Sequence, residues 1–169
     1  NDDVSERQGT ENPAYLHFRL RRNADYKRRF GDRVHHYFFN GGAFTVARQQ
    51  QFYRDRAAQI NKAMVAESAR WGDAKREPPF TRDVHWVNEI NRVTNTWMPG
   101  RHSVILNQFR VDGLYPRVVA PVFHINGAPR HGGVMAAGDA VTLIAPAGTI
   151  YFTTDESDPR ASDGGAAPW

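Results

Sequence analysis

The sequence predicts a mainly α fold with a small β part at its C-terminal end. Three observations carry this. Apolar residues recur at helical spacing in several separate stretches between about residues 13 and 113. Asn, Thr, Gly and Pro stand where such stretches start and stop. From about residue 118 the pattern changes to short runs rich in Val, Ile, Thr and aromatics, separated by turn residues.

The elements follow in order. Asn12-Pro13 supplies an N-cap and an N1 proline for a short helix through Tyr15, Leu16 and Phe18 to Arg22. Asn23 caps a second helix, on which Tyr26, Phe30, Val34 and Phe38 form one stripe; Asn40-Gly41-Gly42 stops it. Thr45 caps a long helix with Tyr53, Ala57, Ile60, Met64 and Trp71 on one face, ended by Gly72-Asp73. Pro78-Pro79 marks a loop, and Thr81 caps a fourth helix carrying Trp86, Ile90, Val93 and Trp97. Pro99-Gly100 is expected to break it. A fifth helix over about 102–112 uses Ile105 and Phe109 and ends at Gly113. Phe30, Val34, Phe38, Ile60, Trp86, Ile90, Trp97 and Phe109 form the expected core.

In the last third, Val118, Val119, Val122, Phe123 and Ile125 suggest a strand ending at Asn126-Gly127. Val141–Ile144 and residues 149–154 suggest a hairpin joined through Pro146-Ala147-Gly148. In it, Ile150 and Phe152 share one face and Tyr151 and Thr153 the other. Three strands fall short of a sandwich, so an incomplete antiparallel sheet with an uncovered face is expected. The predicted organisation is a loose segment 1–12, a helical region 13–117 and a partial β-sandwich 118–169.

Charge follows the same division. Residues 13–56 carry ten Arg or Lys against three Asp, and residues 57–117 nine against six. Residues 118–169 carry only Arg130 and Arg160 against five acids. The 169 residues include no cysteine, which excludes disulfides, thiolate zinc sites and cysteine nucleophiles. No run of 18 apolar residues occurs, so no membrane span is expected. No basic stretch followed by an apolar one succeeds Asn1, so no signal peptide is expected within these residues.

Each chemical motif has a plainer reading beside it. Arg19, Arg21, Arg22, Lys27, Arg28, Arg29 and Arg33 could hold a phosphate-bearing partner. However, Arg21/Asp25, Asp25/Arg29 and Arg28/Asp32 stand at i,i+4 spacing, and no free aromatic ladder accompanies them, so a salt-bridged face is expected and no nucleic-acid partner. His35 and His36 point about 100° apart on a helix and cannot share a metal. His17, His85, His102, His124 and His131 form no ligand pattern. Asp139, Asp155, Asp158 and Asp163 lack calcium-loop spacing and read as turn residues. Ser68, Ser103 and Ser157 sit in no nucleophile motif, and Gly41-Gly42 alone cannot cradle a triphosphate. The expected site list is therefore empty: no catalytic, cofactor-binding or metal residue.

Two stretches carry a resemblance. NADYKRRFGDRVHHYFFNGGAFT (23–45) is similar to a run of bacterial CotH-like proteins, the spore-coat-H kinase family; AESARWGD (66–73) and the stretch from Trp86 to Arg101 also resemble them. APAGTIYFTTDESDPR (145–160) is similar to the hairpin of the chitobiase/β-hexosaminidase C-terminal domain, a small immunoglobulin-like sandwich. Glu156 stands where that family has Gly; at a positive φ it would cost on the order of 1 kcal/mol.

The CotH-like resemblance implies an atypical protein-kinase fold whose members move phosphate from ATP, with Mg²⁺, to protein side chains. The lysine and metal carboxylates of that family lie upstream of the matched run. Residues 1–22, with Asp2, Asp3 and Glu6, offer no counterpart. The resemblance thus implies a fragment, namely the C-terminal helical part of a kinase-like domain plus the start of a β module. It would be inactive alone and partnered by an upstream kinase lobe and a protein substrate, at the cell surface or outside the cell. The alternatives are a non-enzymatic helical adaptor and a carbohydrate-associated module. Exposed aromatics in the β part would favour sugar binding, and a buried Tyr151 would argue against it.

Overall fold

The computed structural model describes residues 13–74 and 76–161. It is mainly helical with a small three-stranded antiparallel sheet. Among these residues no helix is long and apolar enough to cross a membrane. The chain divides into two compact units. One takes the described residues up to Val34 together with those from Gln108 onward; the other is His35–Asn107.

In the first unit, α1 (Ala14–Leu20) and the N-terminal part of α2 (Ala24–Phe38) are joined by a tight turn. Asn23 caps α2, its Oδ1 accepting from the Tyr26 amide at 2.9 Å. The predicted N-cap Asn12 lies outside the described residues; Pro13 precedes α1 as a turn residue. Phe30 meets Phe109 edge-on at 5.2 Å and His17 at 5.3 Å, and Tyr26 Oη lies 2.7 Å from His17 Nδ1. Leu114 and Tyr115 are buried just after the helical run, which ends at Val111 and turns through Gly113 at a φ of +66°. Gly31 lets that turn approach α2, because a Cβ there would lie 3.2 Å from the Leu114 carbonyl oxygen.

The sheet order is β2-β1-β3, with β1 Val122–Ile125, β2 Ala128–Pro129 and β3 Val141–Ile144. Asn126-Gly127 forms the two-residue β1–β2 turn with φ of +52° and +81°, the signature of a type I′ hairpin. Asn126 also ties in the start of β3, since its side chain bonds Asp139 Oδ1 at 2.8 Å and accepts from the Ala140 amide at 3.0 Å. Phe123 pairs with Leu143 and Ile125 with Val141 on one face; Val122 with Ile144 and His124 with Thr142 on the other. The predicted hairpin of β3 with residues 149–154 is not formed. β3 pairs with β1, and residues 149–153 have no regular structure. The apolar alternation of 149–154 fitted a strand, but pairing partners are a tertiary matter.

The second unit contains the end of α2, α3 (Val46–Ile60), α4 (Ala63–Trp71) and most of a continuous helical run that starts at Arg82. The α2 stop falls where predicted, with Asn40 at φ +53° and Gly41 at +80°. Gly42 is obligatory, because a Cβ would come within 2.3 Å of the His36 carbonyl oxygen. Thr45 precedes α3, but its hydroxyl donates back to the Gly42 carbonyl at 2.8 Å and does not cap. The predicted single helix from Thr45 to Trp71 is interrupted at Asn61-Lys62, where Asn61 Oδ1 accepts from Arg82 Nε at 2.8 Å.

The expected break at Pro99 is also overturned. A π-helical turn Arg82–Trp86, α5 (Val87–Arg92), a second π-helical turn Val93–Trp97 and α6 (Met98–Val111) run on without interruption. The second π-turn explains how. The Met98 amide bonds the Val93 carbonyl, five residues back, and the wider turn makes room for the Pro99 ring. The next bond of that register would need an N–H on Pro99, which has none, so the Thr94 carbonyl loses its helical donor. Gln50 Nε2 on α3 supplies one at 2.8 Å, and Arg54, one turn on, reaches Asn95 Oδ1 at 2.8 Å. Thr94 itself is fully buried, its hydroxyl donating to the Ile90 carbonyl at 2.9 Å.

The core differs from the expected one at two places. Val34 is buried, and Phe30, Phe38, Trp86, Ile90 and Phe109 are partly buried, but Ile60 and Trp97 are each half exposed. The helix break displaces Ile60 from the predicted stripe. Each π-turn rotates the face by an extra residue, which removes Trp97 from it and brings Thr94 and Met98 inward.

Candidate functional site

Two groups of side chains stand out, one in each unit. The first is a chain of alternating charges on α2 and the turn at 155–160. Arg160 grips Asp32 with both terminal nitrogens, at 2.8 and 3.0 Å. The same guanidinium bonds Asp158 through Nε at 2.9 Å and Nη2 at 3.0 Å. Asp158 passes the chain to Arg28 Nη1 at 2.8 Å; Arg28 continues to Asp25, which also accepts from Arg29 Nε at 2.8 Å. Three carboxylates and three guanidiniums are thereby matched.

The local sequence explains the turn. Asp155 Oδ1 accepts from the Ser157 amide at 3.1 Å and Asp158 Oδ1 from the Arg160 amide at 3.0 Å, the self-bonding habit of Asp in turns. Glu156 takes φ +65°, so the position does require the left-handed conformation that Gly adopts freely. The bonds from Arg160, chiefly, hold the Asp158 carboxyl down to about 2; bonds from Arg28 and then Arg29 likewise lower that of Asp25. Arg160 is held still more firmly protonated by Asp32 and Asp158.

The second group lines an open cleft of about 680 Å³ between α4 and the first π-turn with α5. Met64, Phe80 and Trp86 are its apolar walls, and Ser68, His85 and the Glu89–Arg92 pair are its main polar edge. Thr81 caps the π-turn, accepting from the Val84 amide at 3.4 Å, while its own amide donates to His85 Nδ1 at 3.0 Å. Arg76 Nη1 lies 3.0 Å from Nε2 of the same ring. Phe80 meets the same ring edge-on at 5.0 Å.

No family model, curated protein or solved structure matches the chain.

The residues weighed from sequence distribute as follows. Asp25/Arg29 pairs as spaced, but Arg28 turns to Asp25 and Asp158, and Asp32 to Arg160. Arg21 approaches Asp112 at 3.9 Å. His35 is half-buried and stacks on Phe39 at 5.0 Å; His36 is exposed against Tyr37. Asp139 is held by Asn126 and the Ala136 amide, and its carboxyl is lowered, first by that amide. Asp163 lies outside the described residues. Ser103 donates to the Pro99 carbonyl at 3.4 Å, and Ser157 serves the 155–160 turn. Ser68 reaches the cleft. Among the described residues no group of three His, Cys, Asp or Glu side chains could hold a metal.

The Gln50–Arg54 clamp, the Arg160–Asp32 contact and the cleft were not predicted. The clamp had a signal. A proline in a helix-periodic stretch orphans a carbonyl four or five residues earlier, and Gln50 and Arg54 stand one turn apart on α3, Gln50 in line with Tyr53 and Ala57 on the face that packs inward. The Arg160–Asp32 contact spans 128 residues and had none.

Proposed function

We propose that this chain contributes the non-catalytic helical part of a CotH-like, kinase-related protein, with residues 118–169 as an accessory β part. The observation that carries the reading is the arginine pairing of three carboxylates within the resembling runs. Asp25, Asp32 and Asp158 are each bonded to one or two guanidiniums. Phosphoryl transfer from ATP needs carboxylates open to Mg²⁺ and a lysine on the phosphates, held in one packed site. A carboxylate matched by arginine is a poor ligand for a second cation, so these residues do not fit a Mg²⁺–nucleotide site. Nucleotide, metal and protein substrate would then be held by elements upstream in the parent protein.

Labelled ATP with Mg²⁺ or Mn²⁺ and a serine-rich acceptor protein tests this. The chain alone gives no transfer above background, and a protein carrying the upstream lobe does. Transfer by the chain alone that disappears in Asp32→Asn or Asp25→Asn would overturn the reading.

A second reading has one observation in its favour. Tyr151, Phe152 and Phe123 are about half exposed, as a carbohydrate-associated module requires for stacking on sugar rings. Retardation in gels containing soluble polysaccharide, lost in Tyr151→Ala, would favour it over the first.

A further inference from the structure

From residue 116 to residue 161 no side chain is fully buried. Three apolar residues of the sheet remain open, with Phe123 46%, Val141 47% and Ile144 53% exposed, and Val122, Ile125 and Leu143 are only half-buried. Yet the end of this segment is joined to α2 by the Arg160–Asp32 fork and the Asp158–Arg28 bond. A segment without a core of its own is here fastened by charge.

We infer that the turn at 155–160 is an ion-pair latch that closes the C-terminal segment onto α2 and opens when its charges are matched by other ions. A single exposed ion pair would hold little. This one differs in geometry: Arg160 is bidentate on Asp32 while bonding Asp158, and Arg28, only 18% exposed, bonds Asp158 from the other side. Asp25 and Arg29 complete the set of charged groups facing the turn. The Asp32 and Asp158 side chains are 51% and 40% exposed, so water and salt reach both ends of the fork. Opening frees Arg160, Asp158 and Asp32 together while Arg28 keeps its bond to Asp25, a surface ready for a partner with its own fixed charges, and leaves the buried contacts of His35–Asn107 untouched.

Hydrogen exchange on the full chain, read by mass spectrometry, tests the latch. In Asp32→Asn and in Arg160→Gln, exchange over 141–161 rises about fivefold, while α3 is unchanged. The double variant adds nothing to the larger single effect, because both remove one interaction. Arg160→Lys behaves like Arg160→Gln, since an ammonium cannot fork onto Asp32 and bond Asp158 at once. Tryptic cleavage after Arg160 quickens in Asp32→Asn, and in the unaltered chain on raising NaCl from about 0.05 to about 0.5 M. Unchanged exchange and cleavage in the variants would overturn the latch. So would an equal rise over α3, which would make the ion pairs part of the general fold.

Discussion

In the unit His35–Asn107, Thr94, Met98 and Leu106 are buried, and a side-chain clamp from α3 completes the hydrogen bonding of a helix that a proline would otherwise break. From 116 to 161 there is no buried side chain, and the fixed points are Asn126, the self-bonded turn at 155–160 and the arginine fork on Asp32. The first region therefore answers to volume and the second to charge. Apolar burial carries no charge to screen or titrate, whereas half-exposed ion pairs are screened by salt and titrated by pH.

The largest effect that would sharpen this contrast comes from the helices. Leu106→Ala should cost about 3 kcal/mol in chemical denaturation, because a 6% exposed leucine leaves a cavity. Leu143→Ala, on the partly open sheet, should cost about 1 kcal/mol. Equal costs would dissolve the distinction. Gln50→Ala comes next at about 1–2 kcal/mol, since it leaves the Thr94 carbonyl without a donor. Gln50→Glu should be no better, as a carboxylate cannot donate to a carbonyl.

The pH test separates the regions by direction. Asp158 titrates lower folded than unfolded, so its contribution is complete above the ordinary carboxylate range and is lost as pH falls through about 2. Asp25 acts in the same sense. Exchange over 141–161 should be flat from about pH 8 to 5, once corrected for intrinsic rates, and rise below about pH 4 before the helical signal in circular dichroism falls. A helical loss that comes first would reverse the comparison. The smallest effect is a gain: Glu156→Gly should stabilise the turn by about 0.5–1 kcal/mol, because φ +65° strains a side chain with a Cβ. It is measured as slower exchange at 155–161.

Local signals were legible and distant ones were not. Asn23 caps, the Asn40-Gly41 stop and the Asn126-Gly127 turn stand where short-range backbone chemistry put them. Glu156 stood out only against the Gly of the resembling hairpin, and its φ of +65° is the left-handed value that Gly adopts freely. The break at Pro99 was misread because a π-turn and a donor from another helix together remove the penalty that proline carries in isolation. The 149–154 strand was misread because alternation fixes which side chains share a face and not which strand, if any, pairs beside them. Of the two candidate sites, the Asp25–Arg29 pair was visible in its spacing. The cleft and the Arg160 fork required elements far apart in the chain to meet.

By itself, then, the sequence determined the class of each region, its caps and turns, and the abundance of arginine on α2, because these depend on residues within one or two turns of each other. Only the tertiary structure decided that Gln50 serves Thr94, that β3 pairs with β1, and that Asp32 is matched by Arg160 instead of by its helical neighbour Arg28. Each of these joins groups more than fifteen residues apart. Their free energy comes from desolvation and geometry at the meeting point, which no local pattern encodes.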